Sequence, residues 1–465
     1  MIAAVGIDVA VHFVHRDWDP DEFEHLQFAW MISQGRVPYL DFFEHHTPLF
    51  HFLGSLLFLL RGGSDPNFLL AAFRSISVLF SVGTVFLTWQ LAKRCGPPLV
   101  PVLATILLIG SRPFLQNGIE IRSDPLAAFA VVGAFVCLDR AFMPRRRRMF
   151  WAALSGLAIS IAVVTTQKSL FVVPGLLVCW IGLARQAPVR AWARLTAVAL
   201  AAAATPAMAL LWYFQRAGAL SDFIYDNFLL NAEWPRDGFV SQIHWAWVEA
   251  ESDTLLIASA LVGCVILGAH ILREGRLAIV APLVSLGLGF LIIPVVQPQY
   301  FLMALPFAAV AGGVALERVI RDRSLMAAGI IVLLAILTTG ANLHRGFAGF
   351  DQHFEAGNDA LVRAKLAYII EHIPADATVM SGWSSGVALR PPAFRYGFLH
   401  PEIQAIITPA EYADLVDGLR TGRIAPSAVD LDPFVLSLPE PIPSYLLAHY
   451  RLVGLGTLAI RSVQP

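Results

Sequence analysis

Residues 120–142 read EIRSDPLAAFAVVGAFVCLDRAF, a short charged cluster followed by an apolar run long enough to cross a lipid bilayer. Two more charged clusters, DPDE at 19–22 and DFFEHH at 41–46, also border apolar stretches. Of the 465 residues, 57% are hydrophobic and 14% are charged, which predicts a polytopic α-helical membrane protein. Ionisable groups beside hydrocarbon cost free energy unless they are solvated or paired. Carboxylates gathered there therefore indicate a reaction site.

The apolar runs predict about eleven membrane spans, of which the first, at 1–14, is incomplete. At about 1.5 Å per residue, such a run covers roughly 21 Å of a ~30 Å hydrocarbon core. We interpret it as the outer part of a span whose start lies upstream. The other ten runs are 67–92, 97–111, 125–142, 149–166, 170–184, 195–214, 254–272, 277–295, 300–316 and 324–340.

Basic residues divide the loops between these runs into two sides. Fourteen Lys and Arg residues fall in short loops on one side, which the positive-inside rule assigns to the cytoplasm. The stretch 47–60 is short for a span and is interpreted as an interfacial or re-entrant helix, which leaves a first outer loop at 16–66. All three charged clusters then face extracytoplasmic water. The net charge of −1 provides no field that would attract nucleic acid.

The cluster at 19–22 has a structural explanation that leaves one carboxylate over. Asp19 suits the N-cap of a helix, Pro20 its first position, and Glu22 a capping box that closes on Asp19. Asp21 is surplus to that arrangement. Because the cluster borders a membrane, Asp21 is a candidate for catalysis, and the helix cap alone is the alternative.

The cluster Glu44-His45-His46 combines a carboxylate with two imidazoles, groups that bind either a divalent cation or a phosphate. Six of the 13 histidines fall within the first 51 residues, so the enrichment is local. Polar residues that favour the membrane interface would explain it without chemistry. No helical His-x-x-x-His spacing is present here, so the sequence leaves a metal undecided.

Polar residues at three other outer helix ends also allow two interpretations. Arg122 and Asp124 could act on a ligand or form an intrahelical ion pair that caps a span. Lys168 could hold a phosphate or snorkel to the interface, and Tyr300 could be an anchor in the aromatic belt. The sequence does not decide between these roles.

Several of these residues together resemble the GT-C glycosyltransferases. The closest likeness is to the branch with the protein O-mannosyltransferases, the lipid A aminoarabinose transferase and the Rgt-type lipopolysaccharide glycosyltransferases. The likeness covers 16–310 in order and orientation. The residues that carry it are Asp21-Glu22, Ala29, Gly35, Pro38-Tyr39, DFFEHHTPL at 41–49 and RSD at 122–124.

The resemblance implies an inverting glycosyltransferase in a bacterial inner membrane, part of the machinery that builds the cell envelope. A sugar would move from a polyprenyl-phosphate donor to a glycan, lipid or protein acceptor on the extracytoplasmic face. A carboxylate would take the proton of the acceptor hydroxyl, and cationic groups would stabilise the departing phosphate. No nucleotide is available outside the cytoplasm, in keeping with the lack of a nucleotide-binding loop in the sequence.

The family's motifs map onto this chain residue by residue. The essential carboxylate of the first outer loop matches Asp21, and the Arg-x-Asp at an outer helix end matches Arg122 and Asp124. Glu44 and Pro48 match a Glu-Lys-Pro-Pro-like motif.

The chain departs from the family after the glutamate of that motif, where a lysine is usual and His45 stands here. The imidazoles would then act as cations or bind a divalent metal as neutral ligands. The resulting site comprises catalytic Asp21, Glu22 and Asp124, phosphate-binding Arg122, Lys168, His45 and His46, and supporting Glu44, Asp41 and Tyr300.

Residues 341–465 differ in character from the transmembrane part at 1–340 and predict a small extracytoplasmic α/β domain. Helices are expected at 359–372, 409–419 and 444–449, and strands at 377–383, 428–438 and 452–461. Acceptor recognition, a lid over the site and mere stabilisation are all compatible with this pattern.

Two other functions compete with glycosyl transfer. A transporter or flippase of lipid-linked sugars would need charges at the membrane midplane or inverted repeats. A scaffold that only displays the tail would leave the surplus carboxylates unexplained. The ionisable residues gather at helix ends, which favours the enzyme.

Overall fold

The computed structural model describes residues 19–61, 65–143, 147–184, 188–234, 253–269, 277–293, 295–322, 329–330, 333–342, 358–382 and 388–462. The predicted first span at 1–14 lies outside these residues, as do parts of the basic loops. Helices make up most of the described chain up to Asn342, and a segment of mixed helices and strands follows.

The first part of the described chain consists of helices joined by short connections. Two 3₁₀ turns (Gln167–Val172 and Pro298–Met303) and one π-helical turn (Tyr225–Leu229) interrupt them. The helices are α1 (Pro20–Ser33), α2 (Leu49–Arg61), α3 (Pro66–Ala92), α4 (Leu99–Ile109), α5 (Arg112–Asn117), α6 (Ser123–Phe142), α7 (Arg148–Thr165), α8 (Val173–Ala184), α9 (Val189–Ala217), α10 (Leu220–Ile224), α11 (Leu230–Glu233), α12 (Thr254–Gly268), α13 (Leu277–Phe290), α14 (Leu305–Asp322) and α15 (Leu333–Asn342).

Four described helices are long and apolar enough to cross a bilayer. They are Phe68–Ala92, Ser123–Phe142, Arg148–Thr165 and Val189–Ala217, and they coincide with four of the predicted spans. Six shorter apolar helices fall on other predicted runs and on the stretch 47–60. This pattern agrees with a polytopic helical membrane protein, whereas the total of about eleven spans stays a prediction.

Small residues let neighbouring helices approach closely. A Cβ atom at Gly156 of α7 would lie 2.0 Å from the carbonyl oxygen of Ala199 in α9. A Cβ at Gly263 of α12 would lie 1.9 Å from the carbonyl oxygen of Ala311 in α14. Contact between helix backbones is a common basis of helix association in membranes, where apolar burial drives little.

Charged side chains lie at the ends of the long helices. Arg94, just beyond α3, donates to Asp139 near the end of α6 at 3.1 Å. Towards the other end of the same two helices, Arg74, about two turns into α3, pairs with Glu22, and Asp124 in the first turn of α6 pairs with Lys168. The fold thus gathers the charged clusters near 19–22 and 120–124 at one end of α3 and α6.

The C-terminal segment (358–462) contains a four-stranded sheet of order β1-β2-β4-β3. β1 and β2 are parallel, with Val379 opposite Ala428, whereas β4 runs antiparallel to both of its neighbours. Its elements are α16 (Asn358–His372), β1 (Val379–Met380), α17 (Pro401–Ile406), α18 (Pro409–Thr421), β2 (Ala428–Asp430), α19 (Pro433–Leu436), α20 (Ile442–His449), β3 (Tyr450–Leu452) and β4 (Leu458–Arg461). The three predicted helices are present.

All three predicted strands are shorter than expected, and the one predicted at 377–383 is reduced to β1 at Val379–Met380. The strand predicted at 428–438 ends at Asp430, because the Asp432 carboxylate accepts the backbone N–H of Phe434 and of Val435, both at 2.9 Å, and so begins α19. The strand predicted at 452–461 is interrupted by a turn with left-handed Gly454 (φ 80°) and Gly456 (φ 57°). That turn separates β3 from β4.

Candidate active site

Helix α1 begins with the predicted capping box. The Asp19 carboxylate accepts the backbone N–H of Asp21 at 2.9 Å, and the Glu22 carboxylate accepts that of Asp19 at 3.1 Å. The carboxylate of Asp21 takes no part in the cap, as the sequence predicts. Its side chain is 29% exposed and therefore accessible to a ligand.

Arg122 connects α1 to the start of α6. Its Nη1 donates to the Asp21 carboxylate at 2.7 Å, its Nη2 lies 3.2 Å from the Asp19 carboxylate, and its Nε donates to Glu120. The Arg122 side chain is buried, and the residue directly precedes α6. These contacts differ from the intrahelical pair with Asp124 that was one interpretation of the sequence.

Glu22 faces the protein interior rather than the site. Its carboxylate accepts two bonds from Arg74, at 2.7 and 2.5 Å, and the backbone N–H of Ile121 at 3.1 Å. Both side chains of the ion pair are buried. This geometry favours a supporting role for Glu22 over the catalytic one. The sequence did not reveal Arg74, a single cation inside an apolar run.

Asp124, Lys168 and Tyr300 form the second part of the site. The Lys168 amino group donates to the Asp124 carboxylate at 2.9 Å and lies 3.7 Å from the centre of the Tyr300 ring. Asp124 and Lys168 are buried, and Tyr300 is partly buried. The cation–π contact gives Tyr300 a role beyond that of an interface anchor.

The Glu44 carboxylate organises the loop that carries the two histidines. One oxygen accepts the backbone N–H groups of His45 and His46, at 2.9 and 2.7 Å, and contacts the His46 ring nitrogen at 2.9 Å. The other oxygen lies 3.6 Å from Nδ1 of His51. His51 in turn shares a hydrogen bond of 2.7 Å with His25 of α1. A buried polar chain therefore runs from the loop to α1, and the sequence did not pair these groups.

Three side chains hold the carbonyl groups of this loop: Gln167 and Asn231 from distant parts of the chain, and Tyr39 from the same outer loop. The carbonyl oxygen of His45 accepts bonds from Gln167 at 2.7 Å and Asn231 at 2.9 Å. The carbonyl oxygen of His46 accepts the Tyr39 hydroxyl at 2.6 Å. The loop is thus fixed on both its N–H and its C=O groups.

Burial changes the protonation of two acids near Arg122. It raises the pKa of Asp19 to about 7, although Arg122 opposes the shift. It raises the pKa of Glu24 well above its usual range, and the carboxylates of Asp21 and Glu44 add to the effect. The charges of both Asp21 and Glu44 therefore act on Glu24. Nothing in the local sequence around Glu24 distinguishes it as a site residue.

Burial lowers the pKa of His45 well below its usual range, and the neighbouring His46 strengthens the effect. The same causes, burial and then the nearby histidines, lower the pKa of His25. Both imidazoles are therefore neutral near pH 7. For His45 this favours a neutral role over a cationic one.

Asp41 lies apart from these groups. Its side chain is exposed and accepts the backbone N–H of Val37 at 2.6 Å, so it stabilises a turn. The supporting role predicted for Asp41 therefore gains no contact with the described site.

Glu44, His45 and His46 have the composition of a divalent metal site. One ligand atom from each lies within 4.8 Å of the others. Among the residues that the structure describes, the buried Oε2 of Glu44 and Nδ1 of His45 have no hydrogen-bond partner. Imidazole and carboxylate ligands suit zinc and related transition metals, so these residues fit such an ion.

Comparison with known proteins identifies the fold of this chain. A sequence profile of the family described as dolichyl-phosphate-mannose-protein mannosyltransferase matches residues 41–220, a range that contains Glu44, Arg122 and Lys168. No curated protein sequence matches the chain significantly.

Solved structures of glycosyltransferases share the fold. ArnT from Cupriavidus metallidurans, bound to undecaprenyl phosphate, has a TM-score of 0.70 at 13% identity over 99% of this chain and 97% of ArnT. The archaeal oligosaccharyltransferase AglB from Archaeoglobus fulgidus has 0.55 at 13% identity, over 99% and 74%. The arabinofuranosyltransferase AftD from Mycobacteria has 0.60 at 16%, over 100% and 40%. The predicted resemblance to the GT-C superfamily, in its ArnT and protein mannosyltransferase branch, is confirmed.

The buried pair of Glu22 and Arg74 predicts a stability effect. Arg74→Met should destabilise the protein by about 3–5 kcal/mol, because it leaves a buried carboxylate without its cation. The double variant Glu22→Gln/Arg74→Met should recover part of this loss. Thermal unfolding of detergent-purified protein measures both effects.

The matched control is Arg423→Met, which breaks an ion pair with Asp414 whose side chains are both more than half exposed, at 52% and 61%. We expect it to cost no more than about 1 kcal/mol. Equal stability of Arg74→Met and wild type would contradict the supporting role of Glu22.

Proposed function

We propose that this chain is an integral-membrane glycosyltransferase that moves a sugar from a polyprenyl-phosphate donor to a glycan, lipid or protein acceptor. The observation that carries the proposal is the convergence of Asp21, Arg122, Asp124 and Lys168 at one end of the helices. These residues come from three separate parts of the chain. The fold they belong to is shared with ArnT, which was solved with undecaprenyl phosphate bound.

In the proposed reaction Asp21 is the general base. The acceptor hydroxyl oxygen attacks the anomeric carbon while its proton passes to the Asp21 carboxylate. The bond from that carbon to the phosphate oxygen breaks, and the electron pair leaves with polyprenyl phosphate. A single displacement of this kind inverts the anomeric centre. Partial exposure supports Asp21 over Glu22 and Asp124, which are buried.

Lys168 and Arg122 are the groups best suited to stabilise the leaving phosphate. The Lys168 ammonium has three donors, of which the Asp124 carboxylate takes one at 2.9 Å. Arg122 is already surrounded by Asp19, Asp21 and Glu120, so its charge is largely balanced. We therefore assign the main phosphate contact to Lys168. Arg122 chiefly orients the base.

A divalent cation at Glu44, His45 and His46 is the alternative source of positive charge. These three residues would hold it, and when bound it would stabilise developing negative charge as a Lewis acid. The Glu44 and His45 atoms that lack a hydrogen-bond partner within the described part of the chain support this alternative. Without an ion, the neutral His45 imidazole can serve as a hydrogen-bond partner for the donor.

A transporter or flippase is the second candidate function from the sequence. Such proteins place ionisable residues near the membrane midplane, at broken helices. In the described part of this chain the charged clusters of the site lie at helix ends instead, which supports the enzyme.

The proposal includes an orientation: a bacterial inner membrane, with the site and a C-terminal domain at 341–465 on the extracytoplasmic side. In a variant without the native cysteines, Asp41→Cys should react with an impermeant thiol reagent in intact cells. Arg190→Cys should react only after lysis. Both positions are exposed, so access rather than burial decides the result. The reverse pattern would refute the orientation.

The role of the base predicts the effect of Asp21→Asn, which keeps the shape and removes the proton acceptor. Turnover should fall at least ~10²-fold with unchanged expression. A deletion strain identifies the glycan that lacks a sugar, and complementation with each variant measures the activity. Asp41→Asn, a matched change in the same loop outside the site, should behave as wild type. Full complementation by Asp21→Asn would eliminate this assignment.

The protonation of His45 predicts a pH dependence. Its lowered pKa means that the neutral form prevails from neutral to alkaline pH and is lost only as the pH falls below the usual value of about 6.5. Activity should therefore hold from pH 7 to 8 and decline in acid, and His45→Lys should be inactive. A decline above neutral pH, with His45→Lys more active than wild type at pH 8, would instead show a cationic role. Loss with a chelator would identify the metal alternative.

A further inference from the structure

The stretch 388–400 of the C-terminal segment lies against the first outer loop, and Arg395 makes the central contacts. Its guanidinium donates to the Asp226 carboxylate at 2.7 Å and to the carbonyl oxygen of Tyr39 at 3.1 Å. Its own carbonyl oxygen accepts the backbone N–H of Phe43 at 2.9 Å. One arginine therefore contacts both ends of the turn that leads into Glu44.

Tyr39 connects Arg395 to the loop that carries His45 and His46 (the histidine loop). It is fully buried and has a left-handed backbone (φ 70°), which is unfavourable for a residue with a side chain. Such strain persists only where surrounding groups determine the conformation. The hydrogen bond that Arg395 donates to the carbonyl oxygen of Tyr39 helps to determine this conformation. At its other end, the Tyr39 hydroxyl holds the carbonyl oxygen of His46 at 2.6 Å.

Asp226 provides a second connection from Arg395 to the histidine loop. It lies in the π-helical turn, a rare conformation that is frequent at functional sites, and its side chain is buried. The Asn231 amide donates to the backbone oxygen of Asp226 at 3.1 Å and to that of His45 at 2.9 Å. The backbone positions of Asp226 and His45 are therefore joined through one amide group.

We propose that Arg395 is a positioning residue of the active site, and that it fixes the His45–His46 loop through Tyr39 and Asp226. The proposal rests on the function proposed above. It gives the C-terminal segment a defined part in the reaction centre. The segment sets the direction of the two imidazoles without itself touching the reacting atoms.

Mere attachment of the C-terminal segment is the simpler account, and the chain offers a matched control for it. Gln27 of α1 accepts the backbone N–H of Leu389 at 2.5 Å and donates to the carbonyl oxygen of Arg390 at 2.7 Å. These bonds fasten the same stretch to the outer loop but do not lead to Tyr39 or Asp226. Gln27→Ala therefore tests attachment alone.

The first experiment measures order in the loop without any assay of transfer. Hydrogen–deuterium exchange of the full-length protein reports on the amides of His45 and His46, which are bonded to Glu44. Arg395→Gln should speed exchange of these amides at least about tenfold, whereas Gln27→Ala should leave them unchanged. Equal exchange in wild type and Arg395→Gln would overturn the proposal, whatever the reaction proves to be.

A second variant separates a loss of loop order from a general loss of stability. Arg395→Gln leaves the buried Asp226 carboxylate without its cation, so Asp226→Asn/Arg395→Gln replaces the ion pair by an amide pair. This double variant should restore the thermal midpoint and still show faster exchange than wild type. If both values return to those of wild type, the specific ion pair is not needed and the proposal is refuted.

A double-mutant cycle then connects the contact to activity in the deletion strain. Arg395→Gln should lower turnover about 30-fold, and Arg395→Lys should retain part of it. Because Arg395 is proposed to act through the loop, adding His46→Gln should cause little further loss. Independent, multiplicative losses would count against the proposal. If wild type transfers no sugar but exchange changes as expected, the proposed function fails and the positioning role stands.

Discussion

The contact of one guanidinium with three carboxylates determines where the site forms. Arg122 binds Asp19, Asp21 and Glu120, and so joins the start of α1 to the start of α6 across a sequence separation of 101 residues from Asp21. Charges at the edge of an apolar bundle are tolerated only when they are paired or solvated. The first outer loop is therefore held on the helix ends by the same groups that would perform the chemistry.

Asp21 and Glu22 are neighbours in α1 but have different roles: Glu22 supports the fold, and Asp21 is the proposed base. Successive residues on a helix point about 100° apart, since there are ~3.6 residues per turn. Glu22 consequently faces Arg74 in the interior, while Asp21 faces the more open side and Arg122. The buried pair stabilises the position of α1, and the exposed carboxylate remains accessible to an acceptor. Sequence adjacency alone would give the two acids one role.

The histidine loop is rigid because almost all of its polar backbone groups are bonded. Glu44 accepts the N–H groups of His45 and His46, the distant Gln167 donates to the carbonyl oxygen of His45, and Tyr39 of the same outer loop donates to that of His46. Imidazoles on such a loop keep a fixed direction, which suits either a metal or a donor headgroup. In our proposal the C-terminal segment contributes to this order through Arg395.

The sequence by itself determined the helical membrane class, four helices long and apolar enough to cross a bilayer, the capping box of α1 and the three charged clusters. Each depends on local spacing or on composition, which a single chain segment reveals. The pairings of Arg74, Arg395 and the buried histidines were decided only by the tertiary structure. A lone arginine in an apolar run, or one in a polar tail, carries no local sign of its partner. Such partners are chosen because a buried charge must find the nearest compensating group in space, and that group lies far away along the chain.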